Sequence, residues 1–211
     1  RRTVLIAPTW HYGEIFSHWG GDAVVLENLL EHLRKRSCNV ILRLHDSYRF
    51  SREYRSFLSS IERRHDHVML KYKDRHPDNF LDLQVSDLMI TNYSSIATLF
   101  YATGRPCVHL YPVKSADEAF IQRRYTLAGV FETTVPSARY VWKRPPEVHG
   151  GLMALSPDEM REQVDRALDE PGCCAEKARE FLDEHMMGAD GGNCRRIVNA
   201  LESLVEAQRE R

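Results

Sequence analysis

The chain has 211 residues, 43% of them hydrophobic and 28% charged, with a formal net charge of −1. That length supports one sizeable core, and the near-neutral balance argues against a nucleic-acid binder, whose sequence-independent affinity needs many Lys and Arg facing phosphates. No apolar run approaches the roughly 20 residues of a spanning helix and no secretory n-region and h-region pair is visible, so the chain reads as cytosolic.

Strands and helices alternate from the first residues. Thr3 to Ala7 predicts a first strand, and a Gly-containing loop leads to a helix over Asp22 to Arg36, where Val25, Leu29, Leu30 and Leu33 recur at helical spacing. Asn39 to Leu44 is the second strand. Arg52 to Arg64 is a helix with Tyr54, Phe57, Leu58 and Ile61 on one face, and His67 to Lys71 a short third strand. A brief helix over Asn79 to Val85, a fourth strand over Leu88 to Thr91 and a helix over Ile96 to Thr103 follow. Gly104, Arg105 and Pro106 end that helix, and Cys107 to Tyr111 forms a fifth strand.

Beyond Pro112 the pattern loosens, with Ala116 to Tyr125 read as helical and a Pro-rich connection through Pro145 and Pro146. Ser156 before Pro157, with Asp158 and Glu159 behind it, is a strong helix start, and Met160, Val164 and Leu168 supply a buried stripe. Helices over Ala175 to His185 and Asn193 to Gln208 flank a Gly-rich loop. The alternation predicts an α/β fold, a Rossmann-like open parallel sheet with helices on both faces. The whole of 1–211 reads as one domain, with its C-terminal helices from about 156 onward. An opening Arg1 suggests a piece of a longer protein.

Five cysteines lack the paired spacing of a zinc site or a disulfide framework and read as free thiols. The ten histidines show no metal-ligand spacing, so His18, His32, His65, His67, His76 and His109 read as structural. Arg34, Lys35 and Arg36 read as a solvated, dipole-complementing helix end, and Arg123 and Arg124 as facing water.

Three apolar runs end in polar clusters. Val4 to Ala7 runs into Pro8, Thr9, Trp10 and His11; Val40 to Leu44 runs past Arg43 into His45, Asp46 and Ser47; Leu88 to Thr91 runs into Asn92, Tyr93, Ser94 and Ser95. In open parallel sheets ligands sit at the carboxyl ends of strands, so these endings are expected to share one crevice. Asn92 or Ser94 suits an N-cap of the next helix. The free amides of that first turn and two serine hydroxyls also suit a phosphate, which makes a nucleotide or phosphorylated ligand the leading expectation.

Ile6 to Trp10, Leu42 to His45, Ser86 to Ser95, Pro106 to Tyr111 and Asp190 to Ile197 together resemble the CDP-glycerol glycerophosphotransferase family, the teichoic acid and capsule polymerases. The resemblance implies the C-terminal, nucleotide-binding half of a GT-B fold, without the N-terminal acceptor-binding half. It implies transfer of glycerol phosphate from CDP-glycerol to a lipid-linked polyol-phosphate or capsule acceptor with release of CMP, at the inner face of the membrane and without a resident cofactor or metal. In that frame Ser94 and Ser95 hold the diphosphate, and His45 acts beside the reacting phosphorus. Arg43, Asn92, Thr9, Trp10 and His11 are the further donor-binding candidates. The chain departs from the family pattern at Asn92, where the family has Asp, and at Asp46, where it often has Pro. Two alternatives stand beside this reading: a GT-B glycosyltransferase or epimerase that uses a nucleotide sugar, and a nucleotide-binding module without turnover.

Overall fold

The computed structural model describes residues 1–8, 16, 19–44, 51–92, 94–111, 119–126, 128–136, 148–186 and 190–209. Strands β1 (Thr3–Ile6), β2 (Asn39–Leu44), β3 (Val68–Tyr72), β4 (Leu88–Thr91), β5 (Cys107–Leu110) and β8 (Leu152–Ala154) form one sheet in the order β3-β2-β1-β4-β5-β8. Every pair of neighbours in it is parallel. β4 and β5 are buried along their whole length, which explains their unbroken apolar runs, since central parallel strands are covered on both faces.

Alternation along the strands sends successive side chains to opposite sides. Val4, Ile6, Val40, Leu42, Leu88 and Ile90 pack with α1 (Val25–Lys35), α2 (Arg52–Arg64) and α5 (Pro157–Asp169). Leu5, Ile41 and Met89 pack on the other side with α3 (Phe80–Val85), α4 (Ile96–Tyr101) and α6 (Ala175–Met186). The expected helices on both faces are therefore present. Met160, Val164 and Leu168 are buried, as the stripe in α5 required.

Local signals account for the helix ends. Ser51 caps α2 by accepting from the Tyr54 amide at 3.1 Å, and Ser156 caps α5 by accepting from the Glu159 amide at 3.2 Å. Glu159 reaches back to the Leu155 amide at 2.8 Å, in the manner of a capping box. Gly104 ends α4 with φ of 69°, and Arg105 behind it donates to the backbone carbonyls of Leu83, Gln84 and Ser86. Arg36 is more than a solvated helix end, because it pairs with Asp165 and Asp169 and ties α1 to α5.

The helix expected over Ala116 to Tyr125 is instead a strand. β6 (Ala119–Thr126) pairs antiparallel with β7 (Gly129–Pro136) in a separate two-stranded sheet. Two β-rich stretches, AFIQRRYT and GVFETTVP, outweigh the helical reading once Gly129, at φ of 125°, permits the reversal between them. β8 was also missed, since three residues carry no measurable period. It reaches β5 because Gly151 precedes it. A Cβ there would stand 2.3 Å from the Cys107 carbonyl oxygen and 3.1 Å from His109 Cδ2. Gly151→Ala is therefore expected to lose about 2–3 kcal/mol in a urea denaturation curve, since backbone must move to admit the methyl. An unchanged midpoint would mean that β8 does not lie this close.

α7 (Asn193–Arg209) buries none of its residues, and Ile197, Val198, Leu201, Leu204 and Val205 are all exposed. No helix among the described residues is long and apolar enough to cross a membrane.

Candidate functional site

The sheet order reverses between β1 and β4: from β1 the chain proceeds to β2 on one side, and from β4 to β5 on the other. The helices that follow this pair lie on opposite faces of the sheet, α1 on one and α4 on the other, and it is at such a switch point that open α/β sheets receive ligands. Two contacts lock the pair there. The Ala7 amide donates to the Ile90 carbonyl at 2.9 Å, and the buried Thr91 hydroxyl donates to the Ala7 carbonyl at 2.7 Å.

The turn that leaves β4 holds Asn92, buried at 3% exposure, then half-buried Ser94 and exposed Ser95. Neither Asn92 nor Ser94 caps α4. The residue at the cap position is Ser95, in helical conformation and with no side-chain hydrogen bond to the helix amides. Entry is made by backbone instead, the Ala97 amide donating to the Ser94 carbonyl at 3.0 Å. Among the described residues, the hydroxyls of Ser94 and Ser95 have no partner. α4 is only six residues long, so the turn's own amides and hydroxyls matter more here than a helix dipole.

Toward the carboxyl ends of β2 and β3, Arg43 and Lys71 stand in register and converge on one carboxylate. Asp82 of α3 is fully buried and accepts from Arg43 Nη1 and from Lys71 Nζ, each at 2.5 Å. Arg43 also donates to the carbonyls of His76 at 2.6 Å and Asp78 at 3.4 Å. Its guanidinium thus holds the 76–82 segment against the end of β2.

Asp22 does similar work after β1. It is buried, accepts from the Phe16 amide at 2.7 Å and accepts from the Tyr54 hydroxyl of α2, which fixes the end of the loop that follows the first strand.

Behind the turn lies a buried polar cluster that joins β5, α4, α6 and the 149–151 segment. His109 Nδ1 stands 2.8 Å from the Asn92 carbonyl, and its Nε2 is 2.6 Å from the Tyr101 hydroxyl. The His149 ring lies 5.2 Å from that of His109 and accepts at Nδ1 from the Gly151 amide, while Lys177 Nζ stands 3.1 Å from its Nε2. Burial pushes both imidazoles down, His109 to about 4 and His149 to about 3, with Lys177 nearby acting in the same direction. Burial likewise raises the Tyr101 hydroxyl and the Cys107 thiol.

Of the expected site residues, Arg43, Asn92, Ser94 and Ser95 are described, and the last three come together at the switch point. Thr9, Trp10, His11 and His45 lie outside the described residues. Other histidines have structural partners: His32 meets Asp165 at 2.9 Å, His65 meets Glu27 at 2.8 Å and His67 meets the Leu30 carbonyl at 3.1 Å. All five cysteines are free. Among the described residues no group of three His, Cys, Asp or Glu is placed to hold a metal ion. Sequence reasoning missed Asp22, Asp82 and the His109 cluster. A signal for the last was present, since one histidine interrupts the apolar strand CVHL.

Solved structures similar to this chain share its fold. One is the wall teichoic acid polymerase TagF, at 19% identity and a TM-score of 0.58, where the match covers 99% of this chain and 45% of that one. Another is a UDP-N-acetylglucosamine 2-epimerase, described as putative, from Listeria monocytogenes, at 15% identity and 0.56, covering 98% and 46%. A third is α,α-trehalose 6-phosphate synthase from Burkholderia multivorans, at 12% identity and 0.55, covering 99% and 44%. The chain thus spans less than half the length of these relatives, and its open sheet is that of GT-B enzymes. No curated protein matches it. The family model of CDP-glycerol:poly(glycerophosphate) glycerophosphotransferases matches residues 1–127. That match takes in every strand end at the switch point and more than half of the 211 residues, so the chain belongs to this glycerophosphotransferase family.

Proposed function

We propose that this chain is the donor-nucleotide domain of a transferase that moves glycerol phosphate, or a similar polyol phosphate, from a CDP-activated donor to a polyol-phosphate or glycan acceptor in teichoic acid or capsule synthesis. The observation that carries the reading is the turn from Asn92 to Ser95. It stands at the topological switch point, its two serine hydroxyls have no partner among the described residues, and α4 begins without a side-chain cap. A variant of the related TagF polymerase has been soaked with CDPG, which supports a donor of this kind.

In this reading an acceptor hydroxyl oxygen attacks the phosphorus that bears glycerol. A new P–O bond forms, the bond to the bridging oxygen breaks and CMP leaves with the electron pair. The acceptor proton must go to a base. Negative charge grows on the leaving phosphate, so fixed donors aimed at it lower the barrier. Ser94 and Ser95 supply those donors, and His45, which follows β2, exchanges a proton near the reacting phosphorus. Thr9, Trp10, His11 and Asn92 line the donor, while Arg43 contributes by holding the 76–82 segment. The acceptor is lipid-linked and meets the donor with the help of an N-terminal domain, at the inner face of the membrane. The chain alone binds donor but turns over little, because a misplacement of about 1 Å costs on the order of 100-fold in rate.

Calorimetric titration with CDP-glycerol, CDP, UDP-N-acetylglucosamine and GDP-mannose tests this. Selective binding of the cytidine diphosphates is expected, and replacing Ser94 and Ser95 together by Ala should weaken it about 10- to 100-fold, as expected for two charge-assisted hydrogen bonds. Unchanged affinity in the folded double variant would remove the site assignment. Preference for a nucleotide sugar would transfer the reading to the glycosyltransferase and epimerase class.

A further inference from the structure

His109 sits in the middle of a buried strand at 2% exposure, and its partners determine where its proton lies. The Asn92 carbonyl only accepts, so the ring hydrogen is on Nδ1 and is donated across 2.8 Å. Nε2 is then an acceptor, and the Tyr101 hydroxyl at 2.6 Å donates to it. Donation therefore runs one way, from Tyr101 through His109 to the Asn92 carbonyl. Burial keeps the imidazole neutral at physiological pH, which preserves this polarity.

The carbonyl held in this way belongs to the residue that opens the turn toward Ser94 and Ser95. From the opposite side, Thr91 is held to the end of β1. We propose that His109 is a positioning residue of the donor site, its Nδ1–H fixing the Asn92 carbonyl so that the following amides and hydroxyls face the donor's diphosphate. This rests on the donor reading of Ser94 and Ser95. It differs from a packing role in what it demands of the side chain: the hydrogen-bond donor matters more than the ring.

Two variants of the 211-residue chain separate those demands. His109→Phe keeps a ring and removes the donor. His109→Asn leaves a cavity but places an amide donor where Nδ1 stood. CDP affinity by calorimetry is expected to fall about tenfold in His109→Phe and two- to threefold in His109→Asn. Thermal stability should show the reverse ranking, with His109→Asn the less stable. Affinity that follows stability, or that is unchanged in His109→Phe, would overturn the proposal.

Should the unaltered chain fail to bind CDP, the donor reading falls by itself. Positioning is then decided by amide hydrogen exchange at Ala97 and Thr98, whose amides bond to the Ser94 and Ser95 carbonyls. Faster exchange in His109→Phe than in His109→Asn supports it, and equal exchange overturns it.

Discussion

Replacing Asp82 by Ala is expected to destabilise the domain by about 3–5 kcal/mol, because it leaves two cations behind. The Asp82 side chain is 0% exposed, and those of Arg43 and Lys71 are only 10% and 14% exposed. With the carboxylate gone, neither charge has water enough to replace it, and among the described residues Arg43 keeps only the carbonyls of His76 and Asp78. The loss should therefore include α3 and the segment before it, not just one contact. Asp82→Asn keeps acceptor oxygen without charge and should fall between. Asp169→Ala provides the comparison, since its pair with Arg36 is exposed and should be worth about 1 kcal/mol or less. Urea unfolding of the three variants decides it. A loss at Asp82→Ala no larger than at Asp169→Ala would mean that the buried triad contributes little.

Acidification from pH 7 to pH 5 should produce the second large effect, a loss of up to about 2 kcal/mol for each of His109 and His149. Both folded values, about 4 and about 3, lie below the ordinary 6.5. As pH falls through 6.5 the unfolded chain takes up protons that the folded chain refuses. The stabilisation is thus complete above 6.5 and is lost toward the folded values. His67, also lowered by burial, adds in the same direction. Glu31, held at about 2 by its hydrogen bond to Arg34, enters only as pH falls from the ordinary carboxylate range toward that value and leaves the upper window to the histidines. Melting temperature against pH should slope steeply between 6.5 and 5, and His149→Phe should flatten it. A flat profile would show that these imidazoles accept protons without unfolding.

What could be read beforehand followed from periods and end signals. β2, β4 and α2 have the ranges their apolar runs implied, because burial on both faces or on one helical stripe writes itself directly into residue order. The place of Asn92, Ser94 and Ser95 just after β4, beside β1, also followed from the apolar run before them, whereas Thr9, Trp10, His11 and His45, which were expected to share that site, lie outside the described residues. Partnerships across the fold did not. Asp82 meets Arg43 over 39 positions and Lys71 over 11, a meeting fixed by the β2 and β3 register and by the way α3 returns over them. His109 looked incidental for the same reason, since its role depends on Asn92 17 positions earlier. The β6 and β7 hairpin is hidden for another reason: the 116–125 segment mixes charged and apolar residues without a clear period, and its strand character depends on the partner strand beyond Gly129.

The central place of β1 also orders events during synthesis. Its partner on one side, β2, follows within about forty residues, and β3 can then add to β2, so half of the sheet can assemble early. The other side of β1 is completed only by β4, through contacts such as Thr3 with Asp87 and Ala7 with Thr91, each 84 positions apart. Until that strand arrives, an apolar strand edge stays open on the nascent chain, the kind of late, long-range parallel pairing that slows folding and invites association. Translation pauses between the codons for β2 and β4 would lengthen that exposure, whereas pauses after Thr91 would leave the central pairing already closed.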